Sequence, residues 1–277
     1  MLIMRFEPTE DPAEFQRRAG AFLSRDPLPH TVIIAVLQRL LHGTGETETT
    51  FVSVHDGDTV TGVAMHTRGY DACLGTVPAA AIPGLVALFA DRPVALSGVQ
   101  GRTESATDFA RRWTALRGIG FRQKAAMLLY RLDDLRLPRV PGSARRATAA
   151  DIDLCTRWMA AMNEEVGAGY PPEAVPGRIA DGLVWLWEYD GIPVSLAGEQ
   201  IPVYGWSRIG PVYTPPAARG RGYGSAVTAD ASKRLRDSGC RVCLFTDTAN
   251  PTSNKIYRDI GYVPVGDFVH YRFGAAA

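Results

Sequence analysis

The 277-residue chain carries 30 Lys and Arg against 29 Asp and Glu, a net charge of +1, so no attraction to nucleic acid or an anionic membrane surface is expected. No apolar run approaches the roughly 18 residues of a transmembrane helix, and the N-terminus lacks a signal-peptide pattern; a cytoplasmic protein without a membrane partner is expected. Four scattered cysteines suit a reducing compartment. Cys240-x-x-Cys243 straddles a strand entry with no second Cys or His pair nearby, so no metal site is expected.

Helical periodicity covers Pro12 to Leu23 and His30 to Leu41, followed by a hairpin of Phe51 to His55 and Val60 to His66 about Asp56-Gly57-Asp58. A short strand at Ala72 to Thr76, a helix from Ala79 to Phe89, a strand from Pro93 to Gly98, a helix from Thr103 to Leu116 and a strand from Phe121 to Leu132 complete this half. The proline-punctuated segment Leu137 to Ser143 reads as a linker, which divides the chain into 1–137, 138–143 and 144–277.

Beyond it, Ala144 to Thr148 reads as a strand, and Thr148 caps an amphipathic helix bearing Ile152, Cys155, Trp158, Met159 and Met162. A loop with Pro171, Pro172 and Pro176 surrounds a short second helix. Leu183 to Tyr189 and Ile192 to Leu196 form a hairpin about Asp190-Gly191. Ser207 to Thr214 is a strand, Gly222 to Asp237 a helix, and Arg241 to Thr246 an apolar strand of the kind buried on both faces. The first half repeats this order faintly: Gly118-Ile119-Gly120-Phe121 before its last strand echoes Ile260-Gly261-Tyr262 before His270 to Phe273.

Between strand and helix lies Arg219-Gly220-Arg221-Gly222-Tyr223-Gly224-Ser225. Gly222 and Gly224 let the backbone turn sharply and approach a bulky anion. The amides opening the next helix have no intrahelical acceptor, and the helix dipole favours negative charge there. A P-loop reading fails because no Gly-Lys-Ser/Thr follows. A dinucleotide-binding reading fits poorly, since an Arg precedes glycines spaced Gly220, Gly222, Gly224, although Asp247 does end the next strand. This Arg-first spacing resembles the acetyl-CoA pyrophosphate loop of the GNAT superfamily of N-acetyltransferases.

Downstream, Asn250 is a good N-cap, Pro251 suits the first helical position and Gly261 the C′ position. At about 3.6 residues per turn, Asn250, Ser253, Asn254 and Tyr257 share one face, and Ile256 and Ile260 another. This Asn-to-Tyr helix, followed by Gly-Tyr and a strand, resembles the last block of GNAT enzymes. Together the two blocks cover roughly Gly205 to Phe273, and the order of elements matches the GNAT fold over the second half. The fold expected is α/β with mixed sheets, as two GNAT-like acyl-CoA N-acyltransferase domains in tandem. In the first half, Val77 to Pro83 has neither the Arg nor the glycines, and Leu116 aligns with Tyr257, so that half is expected not to bind CoA.

The resemblance implies acetyl transfer from acetyl-CoA to a primary amine of a small molecule, with no metal. It implies pantetheine between the strands at Val212, Tyr213 and Thr214 and at Leu244 to Thr246, and pyrophosphate on Arg219, Gly220, Arg221, Gly222, Tyr223, Gly224 and Ser225. Asn250 and Ser253 would face the cofactor arm, and Tyr257 would act as general acid or pack on the cofactor. Glu164 and Glu165 are the candidate bases, with Glu188 and Glu199 flanking the same cleft. The aromatics Trp158, Tyr170, Trp185, Trp187 and Trp206 serve either core packing or an acceptor pocket. Two rivals remain, a different acyl donor (a longer acyl-CoA or an aminoacyl-tRNA) and a non-catalytic acyl-CoA sensor. The repeat leaves both a monomer and a homodimer open.

Overall fold

Side-chain caps set three of the helix starts. Asp11 accepts from the Ala13 amide ahead of a proline. Thr148 and Asp151 form a reciprocal capping box, and Asn250 accepts from the Ser253 amide. The computed structural model describes residues 4–43, 48–92, 95–166 and 170–274. They form two units, one running to Leu129 with 246–249 and 265 onward, the other 130–245 with 250–264.

The first unit contains β1 (Met4–Thr9), α1 (Pro12–Arg25), α2 (Thr31–Leu41), β2 (Thr49–Asp56), β3 (Thr59–Thr67), β4 (Ala72–Leu74), α3 (Ile82–Ala90), β5 (Gly98–Arg102) and α4 (Thr103–Arg117), and most of β6 (Gly120–Leu132). The pairs β1–β2, β2–β3 and β3–β4 are antiparallel and β4–β5 is parallel. The second unit contains β7 (Ser143–Arg146), α5 (Ile152–Val166), α6 (Val175–Ala180), β8 (Val184–Tyr189), β9 (Ile192–Glu199), β10 (Trp206–Tyr213), α7 (Tyr223–Asp237) and α8 (Pro251–Asp259), with β11 (Arg241–Asp247) up to Phe245. Here β7–β8, β8–β9 and β9–β10 are antiparallel and β10–β11 is parallel. The two units thus carry the same sequence of strand pairings, which makes the faint repeat a duplicated topology.

Two expectations are corrected. The strand expected at Pro93 to Gly98 begins at Gly98 instead (Pro93 and Val94 lie outside the described residues). A Cβ at Gly98 would stand 2.1 Å from the Tyr271 carbonyl oxygen, so close backbone approach demands the glycine that hid the strand. The last strand, β12 (Tyr262–Gly274), does not stay with the second half. Its Phe268–Arg272 pair antiparallel with Gly98–Arg102, and Tyr271 and Phe273 pack on the first unit's core of Leu85, Phe89, Phe109 and Trp113. The strand β1 was not foreseen; its half-buried alternation follows no turn signal.

In the second unit, Cys155, Met159, Val175, Leu186, Leu196 and Tyr213 form the core beneath α5 and α6. That core holds β9 and β10 under the segments that build the candidate site.

Candidate active site

Strand β10 pairs in parallel with β11 over Trp206–Arg208 and Arg241–Cys243. Its other edge follows β9 with a break in register between Ile209 and Val212. Beyond the break, β10 runs on into the glycine loop. Ser195, wholly buried on β9, secures this end: its hydroxyl donates to the Tyr213 carbonyl (3.0 Å) and lies 2.8 Å from the Thr214 hydroxyl.

The loop from Thr214 to Gly222 is organised from within. Arg219 donates through Nε to the Thr214 carbonyl at 2.9 Å, and the Ala218 amide bonds the Pro215 carbonyl at 2.8 Å. Gly220 and Gly222 adopt φ of 77° and 80°, the left-handed region that glycine occupies without steric cost. Gly222 is the N-cap of α7 and supplies no side-chain acceptor, so the first-turn amides of Tyr223, Gly224 and Ser225 point to an anion site. A Cβ on Gly224 would approach the Thr214 Oγ1 to 3.1 Å. These residues fit a pyrophosphate bound by backbone, with the exposed Arg219 and Arg221 adding charge. The rings of Tyr213 and Tyr223 are both buried. Tyr213 packs against Trp158, and Tyr223 lies 6.0 Å from the Tyr189 ring.

Helix α8 brings the predicted polar face inward. Asn254 is buried, accepts from the Tyr130 hydroxyl at 3.0 Å and donates to the Asn250 carbonyl at 2.7 Å. Tyr257 lies among Tyr130 and Tyr262, at ring separations of 6.4 and 6.1 Å. Burial pushes its phenol up to about 12; the neighbouring Tyr170 hydroxyl adds to this and the Ser253 hydroxyl, hydrogen-bonded to it, partly offsets it. Ser253 therefore serves Tyr257 as well as the cap.

The carboxylates fall into different surroundings. Glu165 pairs with Arg219 at 2.5 Å and accepts the Tyr213 hydroxyl at 3.0 Å. The Arg219 hydrogen bond holds its carboxyl below the usual range, which makes it a weak proton acceptor. Glu164 is exposed on the same turn. Glu188 pairs with Arg145 at 2.7 Å, and Glu199 accepts the Trp185 indole N–H at 3.0 Å. Trp185 itself lies between the guanidinium groups of Arg146 and Arg234, each 4.5 Å from its ring, so this aromatic is structural. Burial pushes the Cys243 thiol up to about 12, an inert sulfur rather than half of a redox pair.

Sequence reasoning missed Ser195 and Tyr130. Neither lies in a motif; each reaches the site from a strand whose periodicity records only packing. In the first unit, the Thr76 amide after β4 donates to the His30 imidazole Nε2 at 2.9 Å, and α3 has Ala81 rather than a glycine at its N-cap.

Residues 189–271 match the FR47-like protein family. The mycothiol acetyltransferase of Beutenbergia cavernae is 28% identical over 149 residues, 49% of this chain and 50% of that protein, so the chain spans about half the length of this curated relative. Among solved structures, an acetyltransferase of the GNAT family from Colwellia psychrerythraea aligns with a TM-score of 0.65 at 13% identity, over 98% of this chain and 100% of that one. A GCN5-related N-acetyltransferase from Sphaerobacter thermophilus gives a TM-score of 0.60 at 17% identity, over 100% and 99%. These two likenesses establish the fold across both units. The family match covers the glycine loop and α8, so this part of the chain is similar to FR47-like proteins, and the chain as a whole shares the fold of GNAT acetyltransferases.

Proposed function

We propose that the chain is an acetyl-CoA-dependent N-acetyltransferase that acts on a primary amine of a small molecule, with its second unit as the catalytic one. The observation that carries this reading is the loop of left-handed Gly220 and Gly222 opening an uncapped α7 beside the shifted end of β10. The mycothiol acetyltransferase likeness supports acetyl transfer as the reaction. We assign no CoA site to the first unit, because its corresponding turn lacks the glycines and the Thr76 amide is already bonded by His30.

The acetyl thioester is the co-substrate's contribution. The Arg219–Ser225 loop would hold its pyrophosphate, and backbone groups at Val212 to Thr214 would align its arm as an added strand and polarise its carbonyl. Forming the amide C–N bond breaks the thioester C–S bond; the proton lost by the nitrogen ends, directly or through water, on the released thiolate, which Tyr257 would stabilise by a hydrogen bond. With its phenol near 12 against about 8.5 for an ordinary thiol, Tyr257 stays protonated and donates a hydrogen bond rather than surrendering its proton. Glu165 acts as a tie between α5 and Arg219, not as the base.

Isothermal titration tests the cradle. Acetyl-CoA should bind in the micromolar range, and acetyl-pantetheine, which lacks the pyrophosphate, about tenfold or more weakly; equal affinities would sink the assignment. Gly222→Val should cost acetyl-CoA affinity by a similar factor, because a Cβ there meets Val140 Cγ2 at 2.9 Å and the backbone is left-handed. A melting curve checks that the variant is folded. Glu165→Gln should change kcat by less than about threefold and leave the acid limb of the pH profile in place, whereas loss of a true base would cost about 100-fold or more.

A further inference from the structure

Next to the break in β10, a group of polar side chains remains that neither the loop nor Tyr257 uses. Arg178, on the short helix α6, lays its half-buried guanidinium over Gly198 of β9: Nη2 donates to the Glu199 carbonyl at 2.9 Å, and Nη1 lies 3.5 Å from Gln200 Oε1. Gln200 is itself oriented by donating to the Gly210 carbonyl at 3.1 Å. Among the described residues, no carboxylate lies within ion-pair distance of Arg178, so its visible acceptors are neutral. Burial disfavours its charge and Arg208 repels it, while Tyr170, Asp181 and Glu199 act in the opposite sense. A half-buried guanidinium that is paired only with neutral oxygens keeps its preference for an anion.

Two glycines allow these groups to approach closely. A Cβ on Gly198 would meet Arg178 Nη2 at 3.0 Å and the Gly210 carbonyl at 2.9 Å, and a Cβ on Gly210 would face the Tyr170 hydroxyl at 3.7 Å. The Asn163 side chain holds Tyr170 by both backbone groups, accepting from its amide at 2.9 Å and donating to its carbonyl at 2.5 Å. The Tyr170 hydroxyl acts electrostatically on both Arg178 and Tyr257. One tyrosine thus neighbours both the cationic spot and Tyr257, which suits an amine and an anion joined by a short linker.

We propose that Arg178 and the Tyr170 hydroxyl, above the floor formed by Gly198 and Gly210, bind the carboxylate of the acceptor, so that the substrate is an α-amino acid or a close amino carboxylate. This rests on the acetyltransferase reading and names its substrate class.

The test uses the full-length chain, acetyl-CoA, the twenty common L-amino acids and their C-terminal amides, with CoA release as the readout. Amino acids should be acetylated, with the KM of the matching amide higher by about tenfold to a hundredfold, as expected for one lost charge-assisted bond. In Arg178→Gln the acid should lose this advantage while acetyl-CoA affinity holds, and Arg178→Lys should restore part of it. Amides used as well as acids, or a variant that impairs both alike, would overturn the subsite; the wild-type comparison stands even if the variant fails to fold. If acetyl-CoA binds but no amino acid is acetylated, the subsite is refuted and the acetyltransferase reading survives. If acetyl-CoA does not bind, that reading fails first and takes the subsite with it.

Discussion

Replacing Tyr257 by phenylalanine should lower kcat about 100-fold, the usual worth of a positioned proton or hydrogen-bond donor, while acetyl-CoA affinity should stay within about twofold of the wild type. The ring remains between Tyr130 and Tyr262, so the packing of α8 is kept and only the hydroxyl is lost. The pH dependence separates this role from simple proton transfer. Burial raises the phenol to about 12, so the donor form persists at every lower pH. No descending limb assignable to Tyr257 should therefore appear between about pH 7 and 10. A wild-type profile that falls near pH 9 and flattens in Tyr257→Phe would show instead that the phenol ionises in the working range. An unaltered kcat would remove Tyr257 from the chemistry altogether. Single-turnover rates decide whether the chemical step, rather than product release, is the one slowed.

Gly261→Ala is expected to be the most damaging single substitution for the fold of the second unit. Gly261 ends α8 at φ 102°, and a Cβ there would lie 1.8 Å from the Asp134 carbonyl oxygen. The segment it touches is fastened to the helix end, with the Asp133 amide donating to the Gly261 carbonyl and the Arg136 amide to that of Ile260, each at 3.0 Å. A methyl group must push this backbone away, because a carbonyl oxygen cannot rotate aside as a side chain does. The expected cost is about 3 kcal/mol or more, and the melting temperature should fall by about 10 °C. Because α8 carries Tyr257, kcat should fall in the variant even at temperatures where it is folded. A melting temperature within about 2 °C of the wild type would mean that the segment at Asp134 moves freely and does not brace the helix.

Much of this was legible in the chain itself. The glycine loop could be read because its requirement is local: a left-handed turn beside a helix start needs residues without a Cβ, and Gly220 and Gly222 do adopt that conformation. The caps at Thr148 and Asn250 and the C′ glycine at 261 are equally local, and all three are found where the sequence placed them. The inward face of α8 followed from helical spacing. The duplication, too, was visible as a repeated order of elements, since each strand and helix carries its own periodicity.

What the sequence left open depends on contacts between residues far apart in the chain. Pairing of β12 with β5 joins residues about 170 positions apart, and nothing in either strand names its partner. The ion pair of Glu165 with Arg219 was likewise not legible, because a carboxylate's basicity is set by the charge that folding brings beside it. Arg178 shows the same limit. Nothing in the short helix that carries it marks it out, and only the fold lays it over Gly198 of β9. Local backbone chemistry is thus written in the sequence by itself, while the state of each charged group and the partner of each strand edge were decided by tertiary structure, because both depend on distances that only folding sets.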